Sequence, residues 1–265
     1  MLTTFVLYII LGAVAGILAG LLGIGGGLVI VPMLTFSFTW QGIPHEHILH
    51  LALGTSMATI IFTSISSFMA HNRRGAVLWN VFWRITPGIL VGSFAGASVA
   101  SMLSTNVLKG FFGIFLYFVS YQMLTGKKPN PSRQTPGTPG LIAAGGGIGI
   151  ISALVGIGGG TLSVPFLVWC NTAIQTAIGT AAAIGLPIAL AGSLGYVVNG
   201  IGVQGLPHLS LGYIYLPAFL GIVCMSVITA PWGAKLAHTL PVATLKKVFA
   251  VLLILVGTRM LMSLF

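Results

Sequence analysis

Gly23-Ile24-Gly25-Gly26-Gly27, running on to Val31-Pro32, sits inside one long apolar stretch, and Gly156-Ile157-Gly158-Gly159-Gly160, running on to Val164-Pro165, sits inside another. Leu22 precedes the first run and Val155 the second. Glycine weakens a helix because it loses the most backbone freedom on entering one. Inside a bilayer, backbone that leaves helical hydrogen bonding survives only where it is buried in protein or lines a cavity. A glycine break repeated at matching places in two parts of an apolar chain is therefore a sequence mark of a transporter's binding site.

The composition fits a membrane setting. Of 265 residues, 56% are hydrophobic and 5% charged, against about 25% charged in a soluble domain. The expected fold is an all-α polytopic membrane protein with about eight apolar segments, near residues 5–38, 47–70, 78–103, 107–125, 140–169, 173–198, 211–236 and 242–264. Met1-Leu2-Thr3-Thr4 puts no basic residue ahead of the first segment, so a cleaved signal peptide is not expected. Cys170 and Cys224 lie in apolar stretches at no metal-like spacing, and read as packing residues. Neither metal nor cofactor is expected.

The net charge of +10 does not point to nucleic acid. The eleven Lys and Arg fall in short loops and helix ends, where positive charge orients membrane proteins. The acid count says more: Glu46 is the sole carboxylate in the chain. Hard cations are held by carboxylate oxygens, and proton relays run through Asp, Glu or His. An anion is the natural passenger.

A Pro- and Gly-rich polar stretch from Gly126 to Gly140 divides the chain into residues 1–126, a linker 127–139 on the cytoplasmic side, and residues 140–265. The two parts share ordered anchors: Gly54-Thr55 with Gly179-Thr180, Asn72 with Asn199, Gly96-Ala97 with Gly233-Ala234, Leu108-Lys109 with Leu245-Lys246, and Met123-Leu124 with Met260-Leu261. This is one domain built by duplication. If each part makes four full crossings, Arg73, Arg74, Arg84, Lys127, Lys128, Arg133 and Arg259 face Lys109, Lys235, Lys246 and Lys247, seven against four. If each glycine segment is instead a re-entrant hairpin followed by three crossings, the parts become inverted repeats. Only Lys109 and Arg259 then oppose the other nine. The second arrangement obeys the positive-inside rule better and puts both termini outside.

In a hairpin turning at its glycines, the second helix starts near Gly27-Leu28 or Gly160-Thr161. A helix N-terminus offers unpaired N–H groups and about half a positive charge, an anion site that needs no basic side chain. Thr161 adds a hydroxyl where its counterpart Leu28 has none. The alternative is that the glycines only let helices pack closely. Pro32 and Pro165 are expected to kink the second helix or end its regular part. Next in the chain, Thr55, Thr59, Thr63 and Ser66 share one helical face, with Ser56 beside them. In the second part Thr180, Ser193 and Asn199 hold comparable places. Such hydroxyls either bond within the helix bundle or line a path; Thr55, Ser56 and Thr180 suit the path best. Arg73 and Arg74 suit a topology signal or an anion-attracting mouth. Arg84 and Lys235 lie deeper and snorkel. His45, Glu46, His47 and His50 fall in one short connection, where they read as solvated loop residues or as a pH-sensitive group.

These residues resemble the TauE/SafE family of sulfite and organosulfonate exporters. The resemblance rests on both glycine runs with their Val-Pro, on Leu53-Gly54-Thr55-Ser56 with Ile178-Gly179-Thr180, and on His71-Asn72-Arg73-Arg74-Gly75. It spans nearly the whole chain and implies transport, with export expected, of a small sulfur-containing anion: sulfite, thiosulfate or an organic sulfonate such as sulfoacetate. The chain departs from the pattern after the second Gly-Thr, where Ala181-Ala182-Ala183 follow.

The combined expectation is a secondary transporter in a bacterial inner membrane whose inverted halves rock around an anion site. Gly25, Gly26, Gly27, Gly158, Gly159, Gly160 and Thr161 would hold the anion, with Thr55, Ser56 and Thr180 along the path. Coupling would run through the membrane potential, about 2.3 kcal/mol per charge per 100 mV. Its partners would be the anion and the lipid bilayer, with no nucleic acid; a homo-oligomer is compatible with the sequence. An anion channel is the alternative. A membrane-embedded enzyme is disfavoured, because no nucleophile–base or carboxylate pair is recognisable.

Overall fold

A computed structural model describes residues 2–22, 26–125, 134–239 and 242–264. The first apolar segment divides into α1 (Leu2–Leu22) and α2 (Gly27–Trp40), and the fifth into α6 (Thr138–Val155) and α7 (Gly160–Trp169). The other segments are single helices: α3 (His45–Asn72), α4 (Trp79–Met102), α5 (Thr105–Thr125), α8 (Ile174–Gly200), α9 (Leu216–Thr239) and α10 (Val242–Met262). Among the described residues α3, α4, α5, α6 and α8 are long and apolar enough to cross a membrane. Their outward surfaces carry large apolar side chains, among them Trp83, Val91 and Ile114. The chain is an all-helical, multi-pass membrane protein.

Small residues decide which helices touch. Lipid is as apolar as a leucine side chain, so helices gain by letting their backbones approach. Helix α4 lies along α6 in the same direction. A Cβ on Gly92 would stand 2.8 Å from Gly146 Cα, and one on Gly96 2.8 Å from Ile150 Cα. Helix α1 lies along α9 in the same sense, with Gly12 on Ile222 and Gly16 on Ser226. There the Thr229 hydroxyl donates to Ala13 O at 3.1 Å. Helices α3 and α8 run antiparallel, with Gly54 beside Tyr196, Met57 beside Gly192 and Ser64 beside Gly185. Helices α5 and α10 also run antiparallel: Gly113 packs on Leu261, and the Tyr117 and Thr258 hydroxyls share a 2.6 Å hydrogen bond.

The first glycine segment doubles back. Gln41, just past α2, donates from Nε2 to the Tyr8 hydroxyl of α1 at 2.6 Å. Tyr8 also meets Phe38 edge to face, so the start of α1 and the end of α2 lie at the same end of the bundle. Helix α7 has 10 residues, or ~15 Å at 1.5 Å per residue. That is half of a ~30 Å hydrocarbon core. Both α2 and α7 continue past Pro32 and Pro165, so neither proline ends its helix.

One element escapes the sequence pattern. The apolar run from Leu211 opens with a two-stranded antiparallel ribbon, Ser210–Leu211 against Ile214–Tyr215, which turns at Gly212 with φ +55°. Helix α9 therefore starts only at Leu216.

The glycine packing predicts a contrast. Gly92→Ala should destabilise the purified protein by about 1–3 kcal/mol, since the new methyl overpacks against helix backbone. Gly147→Ala, whose methyl would meet nothing within 4 Å, should leave the melting temperature unchanged or slightly higher. Thermal melts of the two variants in one detergent check this.

Candidate anion site at the helix breaks

Helix α6 stops at Gly156, which adopts φ +66°. The Gly156 N–H donates to Ala153 O at 3.3 Å and the Ile157 N–H to Ser152 O at 3.0 Å. This paired reversal satisfies the last carbonyls of a helix and requires a left-handed residue. Helix α7 begins three residues later, with Gly159 as N-cap and the Ser163 N–H donating to its carbonyl at 2.9 Å. Helix α2 also begins at a glycine N-cap, Gly26, but in left-handed backbone at φ +73° where Gly159 is at φ −61°; the Gly26 carbonyl accepts from the Val29 and Ile30 N–H groups at 3.0 Å each. Neither start has a side-chain cap or an acidic residue in its first turn. Both expose the positive end of a helix inside the protein.

The two breaks meet. Gly27 lies on the Gly156 carbonyl, and a Cβ there would stand 2.9 Å from Ile157 Cα. Ile60 of α3 touches both: its side chain would be 3.1 Å from a Cβ on Gly27 and 3.3 Å from one on Gly158. The Ser56 hydroxyl donates to Gly156 O at 2.8 Å. On the other side, Gly159 packs on Ala181 O and Gly185 N of α8, and Gly185 faces the Ser64 hydroxyl.

Thr161, in the first turn of α7, is buried, as is Ser163. Their hydroxyls have no hydrogen-bond partner among the described residues. A buried hydroxyl left unpaired costs about 1–3 kcal/mol, so the start of α7 has unspent hydrogen-bonding capacity.

The other sequence candidates divide. Gly26, Gly27, Gly158, Gly159, Gly160 and Thr161 lie at the breaks; Gly25 lies outside the described residues. Thr55 and Thr180 are fully buried and do different work. Thr55 Oγ1 accepts from the Tyr215 N–H at 3.0 Å and Thr180 Oγ1 from the Leu78 N–H at 2.9 Å. Thr59 and Thr63 donate to carbonyls of their own helix, Ser56 O and Ile60 O. Arg73 and Arg74 are exposed just beyond α3, while Lys109 lies at the opposite end, donating to His45 Nε2 at 3.0 Å.

The histidine cluster corrects the loop reading. His45, Glu46, His47 and His50 occupy the first turns of α3, and His47 and His50 are buried. His47 Nε2 lies 3.0 Å from Gln204 O, and the His50 ring spans Glu46 O, Ala100 O and Leu103 O at 3.0–3.1 Å. Packing of α3 on the end of α4 and on the 201–215 segment takes them out of water. No group of three or more His, Cys, Asp or Glu poised for a metal occurs among the described residues.

Sequence reasoning missed Ser64 and Ser163. Ser64 falls on the line Leu53, Met57, Ile60, Ser64, which faces the breaks and α8, next to the threonine stripe. A hydroxyl within an apolar helical face was the available signal.

Comparison with known proteins agrees with this architecture. The family described as "Sulfite exporter TauE/SafE" matches residues 8–260. A probable membrane transporter protein of Haemophilus influenzae is 38% identical over 99% of this chain and 100% of its own length. One from Methanocaldococcus jannaschii is 29% identical, covering 97% and 95%, and one from Bacillus subtilis 27% identical, covering 97% of each. No solved structure matches the chain significantly. The chain belongs to the TauE/SafE sulfite exporter family and is a membrane transporter.

The break geometry can be tested by stability. Ser56→Ala should cost about 0.5–1.5 kcal/mol, one buried hydrogen bond. Gly156→Ala should cost more, because left-handed backbone adds about 1–2 kcal/mol and the methyl would stand 2.9 Å from Leu53 and Val31 side chains. Equal melting temperatures for the two variants and the wild type would contradict the described cap.

Proposed function

We propose that this chain is a secondary transporter that exports a small sulfur oxyanion, sulfite or an organic sulfonate, by alternating access, with the anion held at the paired helix breaks. One observation carries this reading: two uncapped helix starts, the buried Gly27 and the half-buried Gly160, belong to breaks that touch at Gly27 and Gly156, near the buried, unpaired Thr161 hydroxyl. Backbone N–H groups from Gly26 to Leu28 and from Gly159 to Thr161 would donate to the oxygens of the anion. Gly25 and Gly158 would complete the two turns. The lack of a capping carboxylate matters, because an acidic cap would compete for the same positive ends.

An inverted-repeat arrangement of residues 1–126 and 140–265, joined by a cytoplasmic linker, suits this mechanism. It is supported by the antiparallel course of α3 against α8 and of α5 against α10. It is supported further by reciprocity: α1 lies on α9 as α6 lies on α4. Arg73 and Arg74 follow the end of α3, and a cytoplasmic placement there would gather anions at the mouth while both termini lie outside. Ser56, Thr55 and Thr180 would border the path. With no carboxylate in the membrane, an inside-negative potential would drive the anion outward.

The test is flux in proteoliposomes under a set potential, with sulfite, thiosulfate, sulfoacetate, taurine, sulfate and chloride. The reading predicts saturable, potential-dependent flux of one sulfur oxyanion. Gly26→Leu with Gly159→Leu should abolish it, and Thr161→Val should raise KM several-fold. Conductance far above transporter turnover would instead make the protein a channel. Flux untouched by the glycine variant would place the site elsewhere.

A further inference from the structure

The duplicated Gly-Thr pairs do the same thing twice. Gly54 lies on the Tyr213 carbonyl, and Thr55 Oγ1 accepts from the Tyr215 N–H at 3.0 Å. Gly179 lies on the Ala76 carbonyl, and Thr180 Oγ1 accepts from the Leu78 N–H at 2.9 Å. In each case the pair sits in a long helix of one part, α3 or α8. It grips the short segment that leads into α9 or α4 of the other part. The glycine is needed because a Cβ would strike the gripped carbonyl, and the threonine because that segment's N–H must be satisfied away from water.

Their placement gives the two grips a purpose. Helix α8 runs against α3 with Gly192 beside Met57 and Gly185 beside Ser64. Continuing that register brings Thr180 level with about residue 69 of α3, ~20 Å along the helix from Thr55 at 1.5 Å per residue. Ile60 and Ser64, the α3 residues at the breaks, fall between. The end beyond Thr55 carries Lys109, and the end beyond Thr180 carries Arg73 and Arg74.

We propose that these grips are the two gates of the transport path, one on each face, and that both are closed in this structure. The inference rests on the anion site lying at the breaks. A relative movement of the two parts opens the site to one face by releasing one grip while the other holds. Each gate turns on one hydrogen bond from a backbone N–H to a side-chain hydroxyl, an interaction small enough to break and re-form in each cycle. Thr55 and Thr180 are therefore positioning residues that set which face is open, and Gly54 and Gly179 let the segments seat.

The experiment reads accessibility rather than activity. A single reporter, Thr161→Cys, is placed in a chain with Cys170 and Cys224 replaced by alanine. It is labelled with a membrane-impermeant maleimide in intact cells and in inverted vesicles. Thr55→Val should raise labelling about tenfold from the face bearing Lys109 only, the population shift expected from losing one buried hydrogen bond. Thr180→Val should do the same from the face bearing Arg73 and Arg74 only. Thr55→Ser and Thr180→Ser, which keep the acceptor, should label like the parent and show that packing loss is not the cause. Both valine variants opening the same face, equal opening of both faces, or no change in either would overturn the gates. Face-specific labelling in a protein that moves none of the tested anions would leave the gates standing and remove the proposed substrate; anion flux without face-specific labelling would do the reverse.

Discussion

Everything in this protein turns on the rule that backbone polar groups cannot stay unpaired in hydrocarbon. The ten helices of the described residues meet that rule by closing their own hydrogen bonds. The helix starts at Gly27 and Gly160 and the helix end at Gly156 interrupt it inside the protein, and the structure has to compensate. At the second break the compensation is visible. Gly156 turns left-handed and recovers two carbonyls of α6, and Ser56 reaches across from α3 to the carbonyl of Gly156 itself. The donors of the next helix receive no such help. The first N–H groups of α7 have no side-chain cap, nor do those of α2. Pairing acceptors while leaving donors uncapped in the same few residues is what the proposed anion site requires.

Charge economy points the same way. One carboxylate serves 265 residues, and it stands at the exposed start of α3, 3.4 Å from His47 Nε2. Nothing acidic competes for the helix starts at the breaks. At the proposed site, attraction by helix ends and hydroxyls would be weaker than by lysine or arginine, which would suit a carrier that must release what it binds. Membership of the TauE/SafE family sets the class of protein, and the uncapped helix starts at the breaks fit the anion proposed as its passenger.

Much of this was legible in the sequence because it is local. Glycine runs fix where α2 and α7 start, and the family resemblance read from them agrees with the match over residues 8–260. The apolar segments gave the helices because bilayer thickness fixes their length. What stayed hidden depends on which helix meets which. That Thr55 and Thr180 accept from the N–H groups of Tyr215 and Leu78, more than a hundred residues away, shows only once the helices are packed. His50 reads as a solvated loop residue until α4 and Tyr213 close over it, the ring stacking 5.1 Å from the tyrosine. Pro32 and Pro165 read as either a kink or the end of the regular helix; each sits in the sixth position of its helix, near the N-terminal end, and the helix runs on. The ribbon at 210–215 is concealed because Leu211 and Ile214 join it without a break to the apolar run of α9.

The central claim is that one anion sits at the joined breaks, held by helix starts and the Thr161 hydroxyl. The most direct measurement is calorimetric titration of the purified, detergent-solubilised protein with sulfite and with sulfoacetate, for wild type and Thr161→Val. The account predicts one saturable site for one of these anions, with binding weakened about tenfold in the variant, the worth of one hydrogen bond to a charged ligand. Binding of equal strength in the two proteins, or no saturable binding of either anion, would contradict it.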